Sequence, residues 1–235
     1  MNNTIIEGNS FITEDLDTAK VIFTTGENDF NVYFGQLHGK ENLECLKKWF
    51  NIDEIGYLRQ CHSNIVQIYD GSVQEGDAII TDKPGTAVGV FTADCVPVLI
   101  YDKRKNVAAA VHSGWRGTYS KVVSITIDKM KSNYGSQAED MLVYIGPHMR
   151  DCCYEVGDEV IDKFTSDNFY SGEDIFDGRK LSMEKCILKQ LKEKGVAQEN
   201  VKSLGLCTYC SKEPKLYSYR KGEKGKRLFS LIFIK

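Results

Sequence analysis

Residues 87–117 read AVGVFTADCVPVLIYDKRKNVAAAVHSGWRG. Three apolar runs stand out: Ala87 to Thr92, Val96 to Tyr101 and Val107 to Val111. Each is too short for an ordinary helix and rich in β-branched residues, so each reads as a strand. Asp102-Lys103-Arg104-Lys105-Asn106 is a polar, hairpin-like connection between the last two. Past Gly117 the period changes. Apolar residues at 119, 122, 123, 127 and 130 predict one amphipathic helix from Thr118 to Met130.

Working outward, short runs continue on both sides. Towards the N-terminus, Ala78-Ile79-Ile80, Ile65 to Tyr69, Val32-Tyr33-Phe34 and Val21-Ile22-Phe23 read as strands. Between them, Leu43, Leu46 and Trp49/Phe50 give helical spacing over Glu41 to Phe50. Towards the C-terminus, Met141 to Ile145 is a strand and Val156 to Phe164 a helix. Ser182 is the N-cap of a helix through Lys194 that Gly195 ends, and Leu228 to Ile234 is a closing strand. Strands interspersed with a few helices, without a regular βαβ beat, predict an α+β fold. The 235 residues are read as one domain.

Composition narrows the function classes. With 42% hydrophobic and 27% charged residues, plus 12 Tyr and 11 Phe, the chain can bury a full core and is not disordered. A net charge of -3 gives no reason to bind nucleic acid or an acidic membrane. No apolar run approaches the ~20 residues that span a bilayer. Met1 to Glu14 carries only acidic charges and lacks the form of a secretory signal. The chain is therefore expected to be cytoplasmic, and it is read as a monomer.

Three segments place metal-ligand residue types where a strand pattern breaks: Gln60-Cys61-His62-Ser63-Asn64, Ala93-Asp94-Cys95 and His112-Ser113-Gly114-Trp115-Arg116-Gly117. Two imidazoles and a thiolate, from His62, Cys95 and His112, suit zinc. Three protein ligands leave a fourth tetrahedral position for water, whose pKa zinc lowers toward ~7. The alternative is two hydrogen-bonded strand histidines and a buried thiol. Gly114, Arg116 and Gly117 precede a helix and form a candidate phosphate cradle; the alternative is an ordinary turn with Trp115 in the core and Arg116 in a salt bridge. Cys152-Cys153 with Cys207-Thr208-Tyr209-Cys210 offers a second candidate, a four-thiolate site. Neighbouring strand side chains point to opposite faces, however, so buried structural thiols are the preferred reading. His148, after Gly146-Pro147, reads as a surface-turn histidine, with pocket lining as the alternative.

At these residues the sequence resembles the YfiH-like, laccase-domain family, also labelled multicopper polyphenol oxidase. The likeness runs from about Gln60 to the C-terminus. It rests on Gln60-x-His62, Thr92-Ala93-Asp94-Cys95-Val96-Pro97, His112-x-Gly114-Trp115-Arg116-Gly117, Ile145-Gly146-Pro147, Cys152-Cys153-Tyr154-Glu155-Val156-Gly157, Leu206-Cys207-Thr208-Tyr209-Cys210 and Ser218-Tyr219-Arg220. Where the family has Gln-Val-His-Gly, this chain has Gln60-Cys61-His62-Ser63, and Thr24 to Tyr57 matches poorly.

The resemblance implies a four-layer α/β/β/α sandwich shared with cysteine-hydrolase-like proteins, and zinc at His62, Cys95 and His112. It implies action on purine nucleosides with phosphate: phosphorolysis of adenosine, inosine and methylthioadenosine, and deamination of adenosine. A bacterial branch is linked to peptidoglycan editing. Asp94, Cys95 and His112 are the expected catalytic residues, Asp94 as a proton shuttle or as the partner of a ligand histidine. Gln60, Gly114, Arg116 and Gly117 are expected to bind substrate or phosphate. Copper is a candidate substitute for zinc. The rival readings are a copper-dependent oxidase, a hydrolase of a cell-wall precursor with Cys95 as nucleophile and His112 as base, and a partner-binding protein without activity. Four histidines in the whole chain are too few for a multicopper centre with its histidine-rich cluster.

Overall fold

The stretch quoted above folds into the middle of the molecule. The computed structural model describes residues 1–33 and 37–235. Its strands and α-helices, in chain order, are β1 (Asn2–Ile6), β2 (Asn9–Asp15), β3 (Ala19–Thr24), α1 (Leu37–Phe50), β4 (Glu54–Gly56), β5 (Val66–Ile68), β6 (Ala78–Thr81), β7 (Thr86–Thr92), β8 (Val96–Asp102), β9 (Val107–Ser113), α2 (Trp115–Tyr119), α3 (Val122–Tyr134), β10 (Met141–Ile145), α4 (Asp158–Ser166), β11 (Phe176–Asp177), β12 (Lys180–Leu181), α5 (Met183–Glu193), β13 (Val201–Ser203) and β14 (Leu228–Ile234). The strands form two six-stranded sheets, β1-β2-β3-β14-β7-β4 and β13-β10-β8-β9-β6-β5, and a small β11-β12 hairpin. The centres of both large sheets are antiparallel, and β4, β5 and β13 add parallel at their edges. The α+β class expected from the sequence is the one observed.

Every residue of β8, β9 and β14 is buried. Continuous apolar runs of this kind belong to strands covered on both faces. Leu99 and Tyr101 of β8 and Ala108 and Ala110 of β9 pack with Val88, Val90, Val21, Phe23, Ile232 and Ile234 of the other sheet. The opposite face of β8 and β9, with Val98, Ile100, Ala109 and Val111, packs against Val123, Ile127 and Met130 of α3 and Cys186, Ile187 and Leu191 of α5. The opposite face of the first sheet, with Ile22, Phe229 and Leu231, meets Leu43 and Leu46 of α1. Leu46 is fully buried, which contributes about 1.5–3 kcal/mol relative to exposure. Among the described residues, no helix is long and apolar enough to cross a membrane.

β8 and β9 pair in register from Val96↔Ser113 to Asp102↔Val107. Their connection is tied by Asp102 Oδ1, which accepts from the backbone N–H of Arg104 and Lys105. β7 and β8 do not pair with each other. They lie in different sheets, so Ala93-Asp94-Cys95 is the crossing point between them.

Several expectations change. The helix expected over Thr118 to Met130 is two helices, α2 and α3, because Lys121 adopts a left-handed conformation, φ 60°. The N-terminal hairpin β1-β2 was not expected; its strands alternate polar residues with few large apolar ones. Val32 and Tyr33 are not in a strand, and Phe34 lies outside the described residues. Helix α4 begins at Asp158, behind Gly157. Ser182 caps α5 as read, its Oγ accepting from Lys185 N–H, and Gly195 turns the chain after the helix with φ 84°.

Candidate metal centre and its pocket

The site is assembled around one buried carboxylate, Asp77, just ahead of β6. Oδ1 of Asp77 accepts from His62 N–H at 3.1 Å and pairs with His112 Nδ1 at 2.8 Å. Its Oδ2 accepts from Ser63 N–H at 2.5 Å, Ser63 Oγ–H at 2.7 Å and Cys61 N–H at 3.3 Å. Three successive amides thus wrap one carboxylate, and this holds His62 at φ 59°, a left-handed conformation costly outside glycine. Burial alone would raise the Asp77 pKa, but the hydrogen bonds from His112 and Ser63 hold it well below the usual carboxylate range. An ionised carboxylate on Nδ1 fixes the His112 ring so that Nε2 faces the site.

His112 lies near the end of β9, and Cys95 at the crossing between the sheets. The ligand atoms of His62, Cys95 and His112 all lie within 4.8 Å of one another. Cys95 Sγ is 4.0 Å from His62 Nε2. A tetrahedral ion bound at ordinary zinc–sulfur and zinc–nitrogen lengths would bring these two atoms to about 3.6 Å. The donor set therefore fits a metal ion with only a small inward movement. Gly114 supplies the space: a Cβ there would sit 3.1 Å from both Cys95 Sγ and His62 Cδ2. Without a metal, burial would push the Cys95 thiol up, yet His112 and His62 bring it down to about 6. Burial would likewise lower His112, but the Cys95 thiolate and Asp77 raise it to about 9.

His62, Cys95 and His112 line a pocket of about 1030 Å³, at the upper end of small-molecule sites. Tyr57, Phe91, Tyr154 and Tyr219 supply aromatic walls, and Arg59, Arg220 and Arg227 supply positive charge. Burial pushes the Tyr154 phenol up to about 12, so it stays protonated near neutrality.

The other expected site residues have distinct placements. Asp94 lines the pocket at φ 93°, its Oδ1 accepting from Thr208 Oγ1–H at 2.7 Å and its Oδ2 from Arg220 N–H at 2.9 Å. It bonds neither ligand histidine; Asp77, which the sequence reading passed over, is the histidine's partner. Gln60 also lines the pocket, but its amide is engaged at both ends with the Phe91 backbone, at 2.8 Å each. That pair fastens the His62 loop to β7 in place of a free substrate-binding amide. Gly114, Arg116 and Gly117 do not line the pocket. The Arg116 guanidinium stacks over the Trp115 ring at 4.3 Å, and α2 is a single short turn. Gly117 allows close approach of the Ser63 carbonyl, 3.0 Å from where a Cβ would stand. The turn expected as a phosphate cradle packs behind the ligand residues, with Gly114 against Cys95 and His62, and the guanidiniums that line the pocket come from Arg59, Arg220 and Arg227. His148 is buried rather than on a surface turn, with Nδ1 2.9 Å from the Gly146 carbonyl.

The structural class is a two-sheet α+β scaffold on which His62, Cys95 and His112 converge where the chain crosses between the sheets. The family described as multi-copper polyphenol oxidoreductase laccase matches residues 26–235, and the chain belongs to it. The match begins well ahead of Gln60 and so takes in most of the Thr24 to Tyr57 segment. A purine nucleoside phosphorylase of Clostridium acetobutylicum is 48% identical over 238 residues, covering 100% of both chains. A purine nucleoside phosphorylase of Borreliella burgdorferi is 30% identical over 218 residues, covering 87% of this chain and 88% of its own. The crystal structure of the Bacillus licheniformis hypothetical protein YfiH superposes with a TM-score of 0.87 at 24% identity, covering 98% of this chain and 97% of that one. That likeness establishes the fold.

Proposed function

We propose that this chain is a zinc-dependent purine nucleoside phosphorylase, acting on adenosine, inosine and methylthioadenosine, that also deaminates adenosine. The observation that carries this reading is the convergence of His62, Cys95 and His112 in a pocket with aromatic and guanidinium walls. The name of the 48% identical relative supports the substrate class. Zinc held by those three side chains supplies a Lewis acid with one open position.

The chain's own residues set the geometry. Tyr154 and Tyr219 offer faces on which a purine ring can stack. Arg59 and Arg220 place positive charge for phosphate. In phosphorolysis a phosphate oxygen bonds to ribose C1′ as the C1′–N9 bond breaks; the base leaves with the electron pair and takes up a proton. In deamination water adds at C6 and ammonia leaves. Asp94, held by Thr208 and by the backbone of Arg220, is positioned to hold a ribose hydroxyl or carry a proton at the pocket wall.

The family's oxidase name suggests copper instead. Against a multicopper centre stands the placement of the remaining histidines: His38 is exposed beside Glu41 and His148 is buried against the Gly146 carbonyl. Copper in the single His₂Cys site remains compatible with the donors. The cysteine-hydrolase alternative draws on the metal-free state, in which Cys95 thiolate faces a protonated His112.

The test is product analysis with protein of known zinc content, given adenosine, inosine or methylthioadenosine, each with and without phosphate. From adenosine, adenine and ribose 1-phosphate appearing only with phosphate, and inosine in both cases, are expected. Both activities should vanish in His112→Ala. Zinc-loaded protein that turns over none of the three nucleosides would overturn the reading. Activity that survives zinc removal but is lost on Cys95 alkylation would favour the hydrolase.

A further inference from the structure

We propose that Cys152, Cys153, Cys207 and Cys210 hold a second metal ion, a structural zinc bound by four thiolates, separate from the pocket. Cys152 and Cys153 are not on a strand, where adjacent side chains would point to opposite faces. They lie on a turn, where the backbone N–H groups of Cys153 and Tyr154 both donate to the Arg150 carbonyl. On a turn, adjacent side chains can point the same way. The four sulfur atoms all lie within 4.8 Å of one another, and Cys152 Sγ is 3.6 Å from Cys210 Sγ. A tetrahedral ion with four zinc–sulfur bonds requires sulfur–sulfur edges of about 3.8 Å.

Burial argues the same way. Only Cys207 is buried; Cys152 and Cys210 are exposed and Cys153 is intermediate. Thiols kept for core packing would be inside. The backbone around Cys207 is a closed turn. Ser211 N–H donates to the Cys207 carbonyl and Cys207 N–H to Ser211 Oγ, and Cys207-x-x-Cys210 has zinc-ligand spacing. The two halves of the site are joined before any metal binds: His148 N–H donates to the Leu206 carbonyl and Thr208 N–H to the His148 carbonyl. Filling the site exchanges thiol protons for one Zn²⁺, with no change of oxidation state.

The site has a structural consequence. Thr208, inside the Cys207–Cys210 turn, donates its hydroxyl to Asp94, and Met149 N–H donates to the Asp94 carbonyl. A zinc clamp over the 149–153 and 207–210 segments would set the position of Asp94, next to Cys95, from behind.

The experiment is metal analysis of the full chain, purified under reducing conditions and repleted with zinc. Wild type should carry two zinc ions per chain. Cys207→Ser/Cys210→Ser should carry one and keep the pocket ion, whereas His62→Ala/His112→Ala should also carry one. Cobalt loaded into the histidine variant should give the intense thiolate charge-transfer and tetrahedral ligand-field bands of a four-sulfur site. One zinc per wild-type chain that the histidine variant keeps would place that ion in the thiolate cluster and leave the pocket empty. A folded histidine variant that carries no zinc would overturn the proposal. A disulfide between Cys152 and Cys210 in the freshly purified protein would overturn it too. The wild-type and histidine-variant measurements decide the matter even if the serine variant fails to fold.

Discussion

Replacing Asp77 with Asn tests the central claim about the site, that one buried carboxylate orders its ligands. The change keeps size and shape but removes the charge and one acceptor. Asp77 accepts from three backbone amides and the Ser63 hydroxyl and pairs with His112 Nδ1. An amide NH₂ at the Oδ2 position would face the N–H of Ser63 and Cys61, donor against donor. At the Oδ1 position it would face His62 N–H and force His112 into the other tautomer. Either way at least one part-buried donor loses its partner, which costs about 1–3 kcal/mol, and the charge-assisted bond to His112 is lost, a further ~1.5–3 kcal/mol. The sum, roughly 2.5–6 kcal/mol, brackets the usual cost of removing one partner of a buried charged pair. Weakened support for a ligand histidine typically lowers metal affinity by about 10–100-fold. The assay is a chelator competition for zinc, with urea unfolding of the zinc-free protein alongside. Zinc affinity within about twofold of wild type, with an unshifted unfolding midpoint, would show that Asp77 does not order the site.

Other consequences follow from the same geometry. Gly114→Ala places a methyl group against Cys95 Sγ and His62 Cδ2; zinc binding should fall sharply while circular dichroism stays native. Arg59→Ala should raise the KM for phosphate roughly tenfold, the value of one charge-assisted contact, whereas Arg116→Ala should leave it nearly unchanged. In zinc-stripped protein, iodoacetamide labelling of Cys95, followed on its own peptide by mass spectrometry, should rise with pH around 6, far below the ordinary thiol value of 9.0. The sign follows from the lowered pKa: the reactive thiolate is populated above about 6 and lost as pH falls through it. Added zinc should suppress labelling at every pH. Gln60→Ala removes both clamps on the Phe91 backbone and should lower Tm by about 2–8 °C, from roughly 1–2 kcal/mol.

The elements legible in the sequence were those whose period reports burial directly. β7, β8, β9, β10 and β14 stood out as apolar runs because both their faces are covered. α5 was bounded by its own cap and its own glycine. The β1-β2 hairpin was missed because its buried positions include Asn9 and Thr13, polar residues that no hydrophobic pattern marks. The break between α2 and α3 escaped because Lys121 takes a left-handed conformation that is uncommon outside glycine. At the site, His62, Cys95 and His112 could be named as candidates because histidines are few and each residue stands where a strand pattern breaks. Asp77 could not, although a lone acid flanked by Gly76 and the apolar Ala78-Ile79-Ile80 run is a trace of it.

The sequence by itself therefore marked most of the buried strands, the breaks between them, and one candidate set of metal-ligating side chains, His62, Cys95 and His112. Those properties depend on local period and residue type. The tertiary structure alone decided how distant segments meet. It assigned the histidine's partner to Asp77 rather than Asp94, and it sent Arg116 onto Trp115 and other arginines into the pocket. It also gathered Cys152, Cys153, Cys207 and Cys210 into one cluster. The physical reason is that a ligand or hydrogen-bond partner is chosen by distance and direction in space. Those are set by the packing of two sheets whose contacting residues are far apart in the chain.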